Sequence, residues 1–280
     1  MGRDENVLIF EDAMKMCREH PVLREAMIES VKAEKLIWES DEVVREGFAK
    51  FDTPAKIVVS KKRSFEAASA YKGMRTMVHN FASATNPGGG VVNGANAQEE
   101  CLCRCSTLYP NLNTKEMWDG FYGPHRAERN PLHNDDCIYT PGVVVFKTDT
   151  ANPVTMKEAD WYKVDVITCA APNLREKPAN RMNPGDGSQM VKITAKELLA
   201  LHEKRMRRIL DIAVAEGVEV VILGAFGCGA FMNSPEVVAQ AMRNVMKEYR
   251  NCFKVVEFAV YCSPKDDINF KVFDRLLKNV

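Results

Sequence analysis

The 280-residue chain is 46% hydrophobic and 27% charged, a composition typical of a globular protein with one domain and an extension, or with two domains at most. Its 38 Lys and Arg residues balance 38 Asp and Glu residues, so no overall basic field would hold nucleic acid mainly by charge, and we expect no obligate nucleic-acid partner. The first residues are charged and no long apolar segment follows them, so we expect neither a secretory signal nor a membrane partner.

The predicted elements begin with helices and continue with alternating strands and helices. Between Glu5 and Trp38 the apolar residues recur at helical spacing, and Pro21 divides this stretch into two helices. We interpret residues 1–54 as an N-terminal helical extension and residues 55–280 as the main domain. Strands of the main domain are predicted at 56–59, 76–82, 138–139, 143–146, 164–170, 218–223 and 255–261. Helices are predicted at 64–71, 96–108, 194–216, 235–249 and 270–277.

Punctuating residues refine these elements. Ser64 and Ser234 are predicted N-caps, and Gly217 ends the long helix before it. Pro141-Gly142 interrupts an apolar run and predicts a hairpin or a bend. Segments 109–136 and 172–193 are rich in Pro, Gly and Asn, and we predict that both are long loops.

Continuous apolar strands between amphipathic helices predict an α/β fold whose sheet is covered on both faces. Ligands of such sheets bind at the carboxyl ends of the strands. The glycine-rich segments 87–90 and 224–229 each follow a strand directly. We therefore expect both segments on the same rim of the sheet.

The first glycine-rich segment is Asn86-Pro87-Gly88-Gly89-Gly90. It is compatible with a flexible turn, or with a loop whose bare backbone amides approach a phosphate next to a helix N-terminus. It matches neither the Walker pattern nor the dinucleotide fingerprint.

Gln98-Glu99-Glu100 follows within a dozen residues, at the start of a predicted helix. Asn96 and Glu99 fit a capping box, which would leave neither acid a catalytic role. Alternatively, one Glu protonates a leaving sugar oxygen. Adjacent helical residues do not face each other, so two neighbouring acids cannot straddle one bond, and we expect one to hold hydroxyls while the other acts as acid and base. A general acid needs a raised pKa although a helix N-terminus lowers it, so burial or the negative neighbour must prevail.

The second glycine-rich segment is Gly224-Ala225-Phe226-Gly227-Cys228-Gly229-Ala230-Phe231-Met232-Asn233. It is compatible with a tight strand-to-helix turn or with a second ligand loop. Phe231 could belong to the core or could wall a ribose or base. We interpret Cys228 as a small buried hydrophobic residue rather than a nucleophile, since no histidine lies nearby in the sequence.

Nine cysteines without a secretory signal are most simply reduced thiols, which predicts a cytoplasmic protein. Cys101, Cys103 and Cys105 alternate on a predicted helix and so point to different faces, and the histidines lack zinc-protease spacing. We expect no metal and no cofactor. Arg205, Arg207 and Arg208 lie on the long helix, where we expect a solvated face.

Together these segments resemble the bacterial-type poly(ADP-ribose) glycohydrolases, which belong to the macrodomain superfamily. That family carries three glycines, a short spacer and Gln-Glu-Glu, found here as Gly88-Gly89-Gly90, seven residues and Gln98-Glu99-Glu100. The segment from Gly224 to Asn233 is similar to the family's second ligand loop. The resemblance covers most of residues 55–280 and implies a macrodomain-like three-layer α/β/α fold with a mixed central sheet and an N-terminal helical extension.

The resemblance also implies roles for individual residues. ADP-ribose would lie across the rim, with its diphosphate on the backbone amides of Gly88, Gly89 and Gly90 and of Gly227, Cys228, Gly229 and Ala230. Asn86 and Glu99 would bind hydroxyls of the distal ribose, and Phe231 would shape its pocket. Glu100 would protonate the leaving oxygen of the ribose–ribose bond and then activate water. Gln98 and Asn233 are candidate binding residues as members of the two motifs. The extension would block the far side of the ribose and favour trimming of chain ends.

Poly(ADP-ribose) or an ADP-ribosylated protein is thus the expected substrate and ADP-ribose the expected product. Three alternatives stay open at this stage: hydrolysis of mono-ADP-ribose on protein or nucleic acid, or of an acetyl ester of ADP-ribose; binding of ADP-ribose without cleavage; and a structural protein with glycine turns only.

Overall fold

The fold is a seven-stranded mixed sheet with helices on both faces. The computed structural model describes residues 2–43, 50–181, 183–263, 266–278 and 280. Parts of the predicted extension (1 and 44–49) and position 182 of the predicted loop 172–193 lie outside the described residues. The strands are β1 (Lys35–Ile37), β2 (Lys56–Ser60), β3 (Thr76–Ala82), β4 (Cys137–Val145), β5 (Tyr162–Ala170), β6 (Val220–Leu223) and β7 (Val255–Ala259).

The strand order is β1-β4-β5-β3-β6-β7-β2. β4 pairs antiparallel with both β1 and β5, and the remaining neighbours are parallel. The predicted strands are therefore present, with ends shifted by a few residues. β1 was not predicted, because three residues are too few to show an alternating pattern.

Ten α-helices occur in the part of the chain that the structure describes. They are α1 (Arg3–Glu19), α2 (Pro21–Ala33), α3 (Ser64–Ala68), α4 (Gln98–Cys105), α5 (Leu108–Leu112), α6 (Lys115–Met117), α7 (Gly123–Glu128), α8 (Ala195–Ala215), α9 (Pro235–Met246) and α10 (Ile268–Leu277). None of them is long and apolar enough to cross a bilayer. The break at Pro21, the cap at Ser234 and the stop at Gly217 are confirmed.

Successive residues of the central strands point to opposite faces and build two cores. Met77, Ile167 and Val221 pack with α8, α9 and α10. Their chain neighbours Val78, Val166 and Ile222 pack with α3, α4 and α5 on the other face, in a core that Phe10 of α1 also joins. The predicted three-layer arrangement is thereby confirmed.

The prediction of a hairpin or a bend at Pro141-Gly142 is confirmed in its second form. β4 continues through these residues with a register shift between Thr140 and Val143, which is a bend in the form of a β-bulge.

The prediction of a loop at 109–136 is wrong, because α5, α6, a π-helical turn at Trp118–Tyr122 and α7 occupy most of this segment. Its proline and glycine content favours a loop, but Pro124 stands in the first turn of α7, where a proline is tolerated because its missing N–H would have no helical partner. The described part of segment 172–193 has no helix or strand.

Two predicted caps move by one residue. Ser64 is the first residue of α3 rather than its N-cap, which is Arg63, and its hydroxyl accepts a hydrogen bond from Gln98. α4 begins after Ala97, not Asn96, so the predicted box of Asn96 and Glu99 does not form. The N-cap is Ala97, which has no side-chain acceptor, so only one of the two bonds of such a box is present: the Ala97 N–H donates to Glu100 Oε2 at 2.9 Å.

The extension is part of the folded body. β1 pairs with β4 at the edge of the sheet, and α2 packs on β4, where Ser30 Oγ donates to the Pro141 carbonyl at 2.6 Å. The division of the chain at residue 54 stays a prediction.

Candidate active site

Both glycine-rich turns lie at one end of the sheet. β3 and β6 are parallel neighbours, and the chain leaves each of them into a glycine-rich turn. The two turns face a common cleft of about 500 Å³. The predicted site residues that line it are Gly89, Gly90, Gln98, Glu99, Glu100, Gly227, Gly229, Ala230 and Phe231. The prediction that the two turns share one rim is confirmed.

The carboxyl group of Glu100 is fixed by two backbone amides. Gly90 N–H donates to Oε1 and Ala97 N–H donates to Oε2, both at 2.9 Å. Glu100 is 7% exposed and stands on the cleft wall. These two donors restrict the rotation of the carboxyl group, so its position depends on the turn formed by residues 90–97.

The conformation and the close contacts of position 89 require a glycine. Its φ is +58°, and a Cβ at this position would lie 2.6 Å from Glu100 Oε1 and 3.1 Å from Glu99 Oε2. Any side chain would therefore push the two acids away from the turn, in addition to the backbone strain of a positive φ. The glycine lets both carboxyl groups lie against the bare backbone.

The carboxyl group of Glu99 accepts hydrogen bonds from residues in and just after β3. Ser83 N–H donates to its Oε2 at 2.8 Å and Asn80 Nδ2 to its Oε1 at 3.3 Å. The pKa of Glu99 is raised to about 8: burial is the largest cause and the neighbouring Glu100 carboxylate adds to it, while hydrogen bonds from Ser83, Asn80 and the Gly88 backbone oppose the shift. A carboxyl group that keeps its proton at neutral pH can donate a hydrogen bond to a ligand.

The raised pKa of Glu99 predicts a pH dependence of stability. From about pH 4.5 to 8 the unfolded chain releases the Glu99 proton while the folded chain retains it, so rising pH favours unfolding. In the Glu99→Gln variant this contribution is absent. We expect the free energy of unfolding of the wild type, minus that of Glu99→Gln, to fall steadily across this range in urea titrations. Glu11→Gln, at an exposed acid on α1, is the control, and a difference for Glu99→Gln that does not change with pH would contradict the assignment.

Gln98 joins three elements under the site. Its Oε1 accepts from Phe81 N–H at 2.9 Å, and its Nε2 donates to the His79 carbonyl at 2.7 Å and to Ser64 Oγ at 3.0 Å. All its polar atoms therefore bind protein. Gln98 ties α4 to β3 and α3, although it was predicted as a binding residue.

Asn86 and Gly88 do not line the cleft wall. The Asn86 side chain donates to the Gly89 carbonyl and accepts from Arg126 at 3.2 Å, so it closes the turn on itself. Gly88, with φ +65°, packs against the Tyr109 ring. Their implied contacts with substrate stay predictions.

The backbone amides of the two turns differ in availability. In the first turn, Gly89 N–H donates to the Asn86 carbonyl at 2.9 Å and Gly90 N–H to Glu100, so these donors are occupied. In the second turn, three backbone N–H groups have no acceptor among the described residues: those of Gly229, Ala230 and Phe231. Three consecutive free amides beside a cleft suit an anion, so the second turn provides the donors expected to hold a diphosphate.

The Asn233 side chain stabilises the second turn through hydrogen bonds and does not line the cleft. Its Nδ2 donates to the Pro172 carbonyl at 2.7 Å and to the Gly227 carbonyl at 3.1 Å, and its Oδ1 contacts His202 Nε2 at 2.8 Å. Cys228 does not line the cleft either; burial raises the pKa of its thiol, as expected for a residue that is not a nucleophile. Only Phe231 of the larger side chains on this turn faces the cleft.

The prediction of a solvated face at three arginines is wrong for Arg205, which is 1% exposed. Its guanidinium donates to Asp135 Oδ1 at 2.8 Å and to the carbonyl of Ala170, the last residue of β5, at 2.7 Å. This ion pair lies next to the cleft, because Ala171 is part of the cleft wall.

Sequence reasoning missed several residues of the cleft. The side-chain oxygen of Asn183 accepts a hydrogen bond from Ser83 Oγ at 2.6 Å and brings segment 172–193 to the cleft. No local sequence pattern predicts this contact.

At another part of the wall, Asp149 accepts from Phe65 N–H at 3.0 Å, while its Oδ1 has no partner within the described residues. Arg63 packs over the Tyr261 ring at 4.0 Å nearby. Neither Asp149 nor Tyr261 belongs to a motif.

Comparison with known proteins decides the family. A family model described as microbial-type PARG, catalytic domain, matches residues 9–148, which include both Glu99 and Glu100. The chain belongs to the microbial-type PARG family. PARG stands for poly(ADP-ribose) glycohydrolase. A comparison with curated protein sequences found no match.

Solved structures of family members agree over nearly the whole chain. The crystal structure of PARG from Thermomonospora curvata superposes with a TM-score of 0.84 at 27% identity, covering 98% of this chain and 100% of that one. The same enzyme bound to the inhibitor ADP-HPD gives 0.79 at 26% identity, with 97% and 99% covered. A PARG from Deinococcus radiodurans in complex with ADP-ribose gives 0.75 at 30% identity, with 91% and 98% covered. The similarity thus includes the second glycine turn, which lies beyond the residues matched by the family model.

Proposed function

We propose that this protein hydrolyses the ribose–ribose bonds of poly(ADP-ribose) and releases ADP-ribose, with Glu100 as general acid and base. The observation that carries the proposal is the cleft itself. A carboxyl group clamped by Gly90 and Ala97 stands on one wall, and a turn with three free amides stands on the same cleft. Family membership and the structure of a relative in complex with ADP-ribose support the same ligand.

In the proposed reaction, the diphosphate binds the amides of Gly229, Ala230 and Phe231. Glu100 gives its proton to the leaving ribose oxygen as the bond from that oxygen to the anomeric carbon breaks, and the bonding electrons stay with the oxygen. The oxocarbenium-like centre left behind is stabilised by the nearby diphosphate. Water then attacks the anomeric carbon, and the Glu100 carboxylate takes up the proton that water loses.

Glu99 has the complementary role in this proposal. Because its pKa is about 8, its neutral carboxyl group can donate to a hydroxyl of the distal ribose, while its second oxygen keeps the bond from Ser83. Two adjacent acids thus do different work because their surroundings differ.

We further propose that the enzyme trims the ends of poly(ADP-ribose) chains. α1 lies against the turn next to Glu100, where it can obstruct a polymer that continues past the distal ribose.

We also propose that the protein is cytoplasmic. All nine cysteines are free thiols, which supports a reducing compartment.

The test is a side-by-side incubation with purified poly(ADP-ribose) and with mono-ADP-ribosylated protein, followed by mass-spectrometric identification of products. We expect free ADP-ribose from the polymer from the first time point, without an early burst of oligomers. Release only from the mono-modified protein would favour a hydrolase of that linkage. No release from either, together with saturable ADP-ribose binding, would favour a binding module.

A further inference from the structure

The turn that holds Glu100 is itself held by the first helix of the extension. The Asn6 side chain of α1 is 1% exposed, and its Nδ2 donates to the Gly94 carbonyl at 3.0 Å. Gly94 has φ +70°, and a Cβ at that position would lie 2.1 Å from the Arg3 carbonyl oxygen. The backbones of α1 and of the turn are therefore in direct contact, and the space between them admits no side chain.

A second contact connects α1 to the start of the glycine-rich segment through Tyr109. The Phe10 ring of α1 packs edge-on against Tyr109, with ring centres 4.9 Å apart. The Tyr109 ring in turn lies against Gly88, where a Cβ would be 2.8 Å from its Cδ2 atom. α1 thus bounds the glycine turn directly at Gly94 and through Tyr109 at Gly88.

The first contact falls within the 90–97 turn and the second falls just before it, and this turn contains both donors to the Glu100 carboxyl group. Gly90 N–H and Ala97 N–H donate to Glu100, and Ala95 N–H closes the turn onto the Gly90 carbonyl at 3.1 Å. From the main domain, Arg104 donates to the Ala95 carbonyl at 2.6 Å. Both α4, through Arg104, and α1, through Asn6, therefore hold the turn.

We infer that α1 is a structural component of the catalytic centre, and that Asn6 is a positioning residue that sets the Glu100 carboxyl group through the 90–97 turn. This inference rests on the proposed function. It assigns the extension a role in turnover that is separate from blocking the path of the polymer. A shift of the two amides by about 1 Å would move the carboxyl group relative to the leaving oxygen, and misplacement on that scale can cost ~10²-fold in rate.

The test compares Asn6→Ala with Ser30→Ala. Each variant removes one buried side-chain hydrogen bond from the extension to a main-domain carbonyl, but Ser30 binds the Pro141 carbonyl on β4, away from the turn. For Asn6→Ala we expect kcat for ADP-ribose release from poly(ADP-ribose) to fall about 10- to 100-fold. The Kd for ADP-ribose should stay within about two-fold of wild type, because the free amides lie on the other turn. Ser30→Ala should keep kcat within about two-fold, whatever its loss in Tm.

Phe10→Leu provides a second route to the same turn if Asn6→Ala does not fold. It keeps an apolar side chain but removes the ring edge that contacts Tyr109, and a fall in kcat at unchanged Kd is again expected. Equal kcat in the Asn6, Phe10 and Ser30 variants, per folded molecule, would overturn the inference. A wild-type protein that releases no ADP-ribose would instead refute the proposed function, so the two failures are distinguishable.

Discussion

Glu100→Gln is expected to abolish release of ADP-ribose while ADP-ribose still binds. The amide cannot give or take the reaction's proton, and general acid–base catalysis is typically worth about 10²–10⁴-fold. Gln also turns one acceptor into a donor, although both carboxyl oxygens accept from backbone amides in the wild type. The rate is measured as ADP-ribose released from polymer, and binding as ligand-dependent thermal stabilisation.

Glu236→Gln is the matched control for this variant. Glu236 is an exposed acid in the first turn of α9, just beyond the second glycine turn, and it does not line the cleft. We expect wild-type turnover from it. Release at the wild-type rate by Glu100→Gln would remove Glu100 from the mechanism.

Arg205→Met is expected to lower the free energy of unfolding more than any of the other substitutions. The guanidinium of Arg205 binds the buried carboxylate of Asp135 and the backbone carbonyls of Leu132, His133 and Ala170. Its removal leaves the three carbonyls without this donor. It also leaves Asp135 with the exposed Lys204 side chain, whose Nζ lies 2.7 Å from Oδ2, as its ion-pair partner. Breaking such a buried pair typically costs about 3–5 kcal/mol. Urea titration should show a lower midpoint with an unchanged slope.

Arg207→Met, on the same helix, supplies the comparison. Arg207 makes a bidentate ion pair with Glu248, but its side chain is 38% exposed, and such surface pairs contribute about 0–1 kcal/mol. If both variants lost the same free energy of unfolding, the buried pair at Arg205 would not be a main support of the structure.

The order of the elements and the position of the cleft were predictable because they depend on local patterns. Strands such as 76–82 and 164–170 read as continuous apolar runs, and a parallel sheet places the turns that follow its strands on one rim. Gly89 and Gly227 stand where the backbone has a positive φ and approaches other groups closely, which is the physical reason that glycine motifs are informative.

The errors share a different cause, since each depends on a side-chain contact that the local sequence pattern does not show. Arg205 looks like a surface residue of an amphipathic helix until Asp135 and the end of β5 are placed beside it. Asn96 fits a helix cap, but its oxygen accepts from Arg104 at 2.5 Å, so the helix starts one residue later. This shift matters for the site, because it makes Glu100 rather than Glu99 the acid that reaches back to the start of the helix.

The pairing of β1 with β4 has a consequence for truncated forms of the protein. β4 has β5 on one side and is covered on the other by three residues of the extension. Removing residues 1–54 would leave the β1-facing edge of β4, from Cys137 to Tyr139, without the backbone groups that pair with it. A bare strand edge of this kind is a template for pairing between molecules, so the shortened domain would tend to self-associate and precipitate.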